Sequence, residues 1–445
     1  MKIKKLSIYA TAILIAAFTL QSCKKTKNDP DPVEPDKSEV ELSATINTNT
    51  TLENTKIYVL KKDTYTRVLS GATLTIPAGT IIKGNINSAL IVEMGGKINA
   101  QGTASNPIVF TSNQPAGSRN TGDWGGIVIA GRSLVNTADG TGQYEGGVLG
   151  ADVAKYGGNI ADDDSGILKY ARIEYAGYPV QKDKELNGLT LCGVGSKTVI
   201  ENVMVSFGGD DSYEFFGGTV NAKNLIAYKG TDDDFDFDQG YNGKIQFAIA
   251  IKSPAVADQA GTSRNIENET KGVVTETANF GYSRPILSNF TFIGGSASGD
   301  AKHGANIHIG NARMVLANSI IANAKTVNLE FGDAFSAKEF KDGRTLIQNN
   351  ILVSGTASSK TYEAGIFADA NSIIDFAKTK MNSVLASLTF NVNMPNLKLA
   401  ESTTVTPKFE GDLSSLEKAT FVGAVGTTDW TTGWVSWDPQ NVSYK

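Results

Sequence analysis

Gly208-Gly209-Asp210-Asp211-Ser212-Tyr213-Glu214-Phe215-Phe216-Gly217-Gly218 is answered, 22 residues on, by Gly230-Thr231-Asp232-Asp233-Asp234-Phe235-Asp236-Phe237-Asp238-Gln239-Gly240. Acid falls on acid at 210/232, 211/233 and 214/236, aromatic on aromatic at 213/235 and 215/237, and Gly on Gly at both ends. A period of that length belongs to solenoids, whose coils each supply one strand set and stack on their neighbours. Stacked in register about 4.8 Å apart, with side chains alternating between faces, the doublet predicts a core ladder of Tyr213 on Phe235 and Phe215 on Phe237. Glu214 then lies beside Asp236 on the outer face, Ser212 beside Asp234, and Asp210 and Asp211 above Asp232 and Asp233 at the turn.

Carboxylates this close do not all ionise at ordinary pKa unless a positive charge intervenes. Ca²⁺ suits such a site, since it takes six to eight oxygens in flexible geometry. The expected metal ligands are Asp232, Asp234, Asp236, Asp238 and Glu214, with Asp210, Asp211 and Tyr213 expected at a bound ligand. The spacing is not that of an EF-hand, because Gln239 stands where the loop glycine is required and Ile245 where the closing Glu is required. Two other readings stay open. One is a solvated acidic face; the other is a catalytic pair, Glu214 and Asp236, in a glycoside hydrolase or polysaccharide lyase.

Short β-branched runs punctuated by Gly, Asn and Asp extend this pattern from Ala72-Thr73-Leu74-Thr75-Ile76 to Ser319-Ile320-Ile321. Asn202, Asn224, Asn289 and Asn318 recur at the same place before a run, the position of an Asn stack at one corner of a parallel β-helix. The chain therefore reads as all-β, a solenoid over 41–360. A Gly- and Asp-rich segment, 133–165, is expected to leave it as a long loop. Ile373, Phe376, Ala377, Met381, Val384 and Leu385 recur at helical spacing behind Asp369, a candidate N-cap, so 361–445 is expected to contain a capping helix.

The first 22 residues have Lys2, Lys4 and Lys5 ahead of an apolar run and end in Leu20-Gln21-Ser22 before Cys23. This reads as an export signal, and Cys23 directly behind it resembles the lipobox of bacterial lipoproteins, which implies that the cysteine is lipidated. Residues 23–40 then hold the lipidated Cys23 and a Pro- and charge-rich tether with too few apolar residues to build a core. Cys192 is the other cysteine and reads as a buried strand residue. A formal net charge of −5 carries no electrostatic footprint for nucleic acid. His303 and His308 are the two histidines, and their spacing puts them on opposite faces of an extended segment.

Asp123-Trp124-Gly125-Gly126-Ile127, the run Asp163 to Gly177, the acidic doublet and the closing Trp430-Thr431-Thr432-Gly433-Trp434-Val435-Ser436-Trp437-Asp438-Pro439 resemble a family of right-handed parallel β-helix lipoproteins of Bacteroidetes-type bacteria. The resemblance implies that fold and a place in the cell envelope; the expected location is the outer membrane, with the cell surface favoured over the periplasmic face and both left open. It implies no reaction. Right-handed β-helices also host polygalacturonase-like enzymes. Gly209-Asp210-Asp211 matches one element of their pattern, but the Gly-His-Gly and Arg-Ile-Lys elements are missing. No Arg lies between Arg172 and Arg264 to serve a lyase. The expectation is a lipid-anchored, Ca²⁺-stabilised β-helix that binds a glycan or a partner transporter on its flank.

Overall fold

The computed structural model describes residues 37–445, apart from 148, 151, 182–183, 259–260, 272–280, 296–301, 354–365, 369, 387–396 and 398–404. The expected signal segment, Cys23, most of the tether and the N-cap Asp369 lie outside the described residues. Residues 37–445 form one compact unit, a right-handed parallel β-helix. One face is a ten-stranded parallel sheet running from Thr45–Ile46 to Leu329–Phe331. The other two faces belong to a seventeen-stranded parallel sheet that folds along a corner. Its central strands, Gly166–Glu174, Val199–Ser206, Asn221–Tyr228, Lys244–Ile251 and Ile286–Ile293, each cross both faces.

That corner explains the recurring asparagines. Asn202, Asn224, Asn289 and Asn318 all have left-handed backbone, with φ of 54°, 57°, 58° and 54°. Among residues with a side chain, Asn tolerates this conformation best. The bend therefore requires the ladder as much as the amide stacking does, and one Nδ2 to Oδ1 contact, Asn224 to Asn202, is 3.5 Å long. The ladder has rungs of another kind at Tyr170 (φ 49°) and Phe247 (φ 59°).

The doublet stacks as its spacing demands. Tyr213–Phe216 pairs with Phe235–Asp238 in parallel, with Tyr213 opposite Phe235, Glu214 opposite Asp236 and Phe215 opposite Phe237. The inward rings stack at 4.9 Å (Tyr213 on Phe235) and 5.0 Å (Phe215 on Phe237). They belong to one continuous core that also takes in Trp124. Cys192 is buried on its strand.

Three boundaries differ from the sequence expectation. The first strand begins at Ser38, inside the segment expected to be tether, and pairs with Lys56–Leu60. Residues 133–165 do not form an open loop. Thr141–Gln143 pairs antiparallel with Lys155–Gly157, and Tyr144 and Tyr156 pack on Phe216 in a separate apolar cluster. Alternation is too short there to signal a strand, whereas the two tyrosines supply the burial that holds it. Third, the stack continues past 360, since Val384–Ala386 pairs with Ile351–Val353.

Helix α1, Ala334–Lys341, adds to the sequence expectation, and Asp333 caps it by accepting from the Ser336 N–H at 2.8 Å. Helix α2, Ala370–Lys380, puts Ile373 and Ala377 into the main core, with Met381 just beyond it, and so closes that end. From residue 405 on the chain runs back as a strap along the outside. Asn318 Oδ1 accepts from the Lys408 N–H, Trp434 packs on Met204, Ile226 and Tyr228, and Tyr444 reaches Ile57, Ile81 and Val109 of the early coils. None of the described helices is long and apolar enough to cross a membrane.

Candidate metal centre

On the ten-stranded face, parallel register carries one outward column from coil to coil: Thr190, Glu214, Asp236, Glu267, His308 and Glu330. The doublet supplies two of these positions and later coils the rest. Before each strand the chain turns tightly. A Cβ on Gly209 would sit 2.6 Å from the Gly177 carbonyl oxygen of the preceding coil, so only glycine lets those turns, and Asp210 behind them, stack so closely.

The column is outward but not solvated. Glu214 is 4% exposed and Asp236 7%, because residues of two hairpins wall them in. Glu145 comes from the 133–165 insertion. Lys184 and Glu185 come from a second hairpin, Pro179–Gln181 with Lys184–Glu185, and the Lys184 ammonium donates to the Glu145 carbonyl. Between these walls lies a cavity of about 210 Å³ that also meets Asp210, Asp211, Asp232 and Lys271. Two sets of carboxylates converge there, Asp211 with Glu214 and Asp236, and Asp210 with Asp211 and Asp232. In each set the ligand atoms lie within 4.8 Å of one another. One cation 2.3–2.6 Å from each oxygen spans such a set.

Hydrogen bonding leaves these oxygens available. Glu214 Oε2 accepts from the Asn187 side-chain amide at 2.9 Å, but Glu214 Oε1 has no partner, and neither has Asp236 Oδ1. Leaving a buried carboxylate oxygen unpaired is costly. That cost acts against their charged forms. Burial and the Asp210 charge push Asp211 well above the ordinary 3.8; burial and Asp236 do the same to Glu214, and burial and Glu267 to Asp236. Burial opposes charge on Lys271, yet Asp236, Asp238 and Glu214 together raise its pKa.

The model of the family described as "Pectate-lyase like beta helix domain" matches residues 44–435. The chain belongs to that family. None of the curated proteins, and none of the solved structures, matches it.

Within this pectate-lyase-like β-helix the expected site residues separate into three groups. Glu214, Asp236, Asp232, Asp210 and Asp211 meet in the cavity. Asp234 and Asp238 do not join either converging set. Asp234 is turned away and fully buried, 3.2 Å from the Lys252 ammonium and accepting from the Asn265 side chain at 2.7 Å. Asp238 Oδ1 is taken by the backbone N–H groups of Gln239 and Lys271 at 2.6 and 2.8 Å. Tyr213, expected at a ligand, is a core residue whose hydroxyl donates to the Val203 and Ile226 carbonyls. Strand alternation that puts Glu214 outward necessarily puts Tyr213 inward.

The structure also adds residues that the doublet could not announce. Glu267 and Arg264 arrive on the next coil, and Arg264 pairs with Glu267 and lies 3.9 Å from Asp233. The gap in arginines between 172 and 264 is therefore a gap in sequence only. His303 and His308 do not meet. His303 faces the Ser253 carbonyl, whereas His308 sits 3.1 Å from Glu330 and 3.5 Å from Glu269.

Proposed function

We propose that this chain is a lipid-anchored envelope protein that holds Ca²⁺ in the acidic cleft and binds a glycan over it. One observation carries the reading: two buried, unpartnered carboxylate oxygens, Glu214 Oε1 and Asp236 Oδ1, in one set with Asp211. The set offers hard oxygen donors with no thiolate or imidazole, which favours Ca²⁺ or Mg²⁺ over zinc. Three carboxylates in irregular array suit the flexible shell of Ca²⁺ better than the strict octahedron of Mg²⁺. Lys184 and Lys271, which line the cavity, supply hydrogen-bond donors for a polyhydroxylated ligand. Membership of a pectate-lyase-like family is compatible with a glycan ligand, and the anchor follows from Cys23 and its preceding segment.

The experiment is retention of the full-length, detergent-solubilised protein on immobilised acidic and neutral polysaccharides, with Ca²⁺ and with chelator. Retention that needs Ca²⁺, without product release, is expected. Retention unaffected by chelator would remove the cation from the function. Retention on none of the glycans, with capture of an outer-membrane transporter instead, would replace the glycan as the ligand.

A second reading has its own observation. The raised carboxyls of Glu214 and Asp236 suit a general acid near neutrality. Release of unsaturated or reducing ends from a polysaccharide, lost in Glu214→Gln, would favour an enzyme over a binder.

The anchor has a separate consequence. Cys23→Ser should leave the fold intact and move the protein from the membrane to the soluble fraction, as read by fractionation and immunoblot. Firm membrane association of the variant would refute attachment through lipid alone.

A further inference from the structure

We infer that a second binding site, for an uncharged sugar ring, lies where the C-terminal strap crosses the asparagine corner, independent of the acidic cleft. Register aligns Glu201, Lys223, Gln246 and Ser288 on successive coils, so Asn202, Asn224, Phe247 and Asn289 are four consecutive rungs of one ladder. Three of these rungs are the residue that best tolerates left-handed backbone. The fourth is phenylalanine at φ 59°, where a bulky side chain is an outlier. Such strain persists where something else requires the residue. Here the strap comes down on it, with Phe421 stacked on Phe247 at 5.9 Å.

The strap is pinned on both sides of that contact. Gln246 and Glu417 exchange two side chain to backbone hydrogen bonds of 2.7 and 2.9 Å, and Asn289 donates to the Phe421 carbonyl at 2.8 Å. Between corner and strap remains a cavity of about 370 Å³, within the size range of small-ligand pockets. Trp430 forms one wall. Its indole N–H is spent on the Ala424 carbonyl at 2.8 Å, and Trp434 stacks against it at 6.2 Å, so the ring is held in place. The hydroxyls of Thr420, Thr427 and Thr428, which line the same cavity, make no hydrogen bond among the described residues. Lys223 and Glu417, which also line the cavity, pair with each other and cancel each other's charge.

The lining therefore offers fixed aromatic surface, free hydroxyls and no net charge. The matching ligand has an apolar C–H face, a rim of hydroxyls and no ionised group, which describes a neutral pyranose. The site lies on the corner joining the two faces that do not carry the acidic column, so its occupancy needs no cation.

The test titrates full-length, detergent-solubilised protein in excess chelator with the methyl glycosides of glucose, galactose, mannose and N-acetylglucosamine. Tryptophan fluorescence and ligand-observed NMR report binding. At least one glycoside should saturate with Kd on the order of 1 mM, a contact of about −4 kcal/mol, and Trp430→Ala should weaken it about tenfold or more. Because Trp430 also packs on Trp434, Thr428→Trp provides the second variant: it fills the cavity from an exposed position and should remove binding at unchanged Tm. Failure of all four glycosides to saturate at about 50 mM, or undiminished binding in both variants, overturns the site. Binding that appears only when Ca²⁺ is restored would belong to the acidic cleft and would also overturn it.

Discussion

Chelator-stripped protein should gain roughly 3 °C in Tm when Ca²⁺ is added to about a hundred times its Kd. Ligand at that excess stabilises by about 2.7 kcal/mol, and a kilocalorie moves the Tm of a domain this large by about 1 °C. The gain should depend on pH, with a sign fixed by the raised carboxyls. In the cation-free fold Asp211, Glu214 and Asp236 bind protons more tightly than in the unfolded chain. The folded state therefore holds more protons, and stability falls as pH rises from the ordinary carboxylate values of 3.8 and 4.5 upward. Ca²⁺ displaces those protons, so its stabilisation should grow over the same interval. Glu214→Gln with Asp236→Asn should abolish the response to Ca²⁺ while raising the Tm of the cation-free protein at pH 7, since buried like charges are removed. Asp234→Asn should leave the response intact. A cation-free Tm that rises from pH 5 to 8 would contradict the assignment.

Lys252→Met should be among the most damaging single substitutions in the molecule, costing about 3–5 kcal/mol. Lys252 is 1% exposed, and its ammonium lies 3.2 Å from Asp234 and also donates to the Asp232 carbonyl. Burial lifts Asp234 to about 6 even with Lys252 pulling it down. Without the lysine an uncompensated carboxyl is left in the interior. Adding Asp234→Asn to Lys252→Met should recover most of the loss, because removing both charges of a buried pair is far cheaper than removing one. Urea unfolding of the single and double variants decides it. Equal destabilisation of the two would mean that Lys252 contributes through packing rather than charge. The pair also explains why the second copy of the doublet carries three acids where the first has two followed by Ser212: the third serves a lysine in the interior, not the cleft.

The β-helix was readable because its two signals are local and repeated. A 22-residue offset that superposes Phe on aromatic and Asp on acid determines register as well as architecture. Asn at one corner marks the bend through its tolerance of left-handed backbone. What could not be read came from contacts distant in sequence. Glu145, Glu267 and Lys271 reach the cleft from segments tens of residues away, and no pattern within the doublet encodes them. The same walls turn an outer face, which alternation marks as solvated, into a buried one. Asp234 was misplaced for a related reason. Alternation assigns it to the side of Asp236, but it sits at the strand's entry, beside a lysine that is buried on the next coil.

Equilibrium dialysis of chelator-stripped, full-length protein against radioactive calcium tests the cation assignment without relying on stability or on any glycan. The account predicts at least one Ca²⁺ retained per chain with Kd below about 1 mM, and loss of that retention in Glu214→Gln with Asp236→Asn. No retained calcium at about 1 mM, or retention unchanged in the double variant, would contradict it.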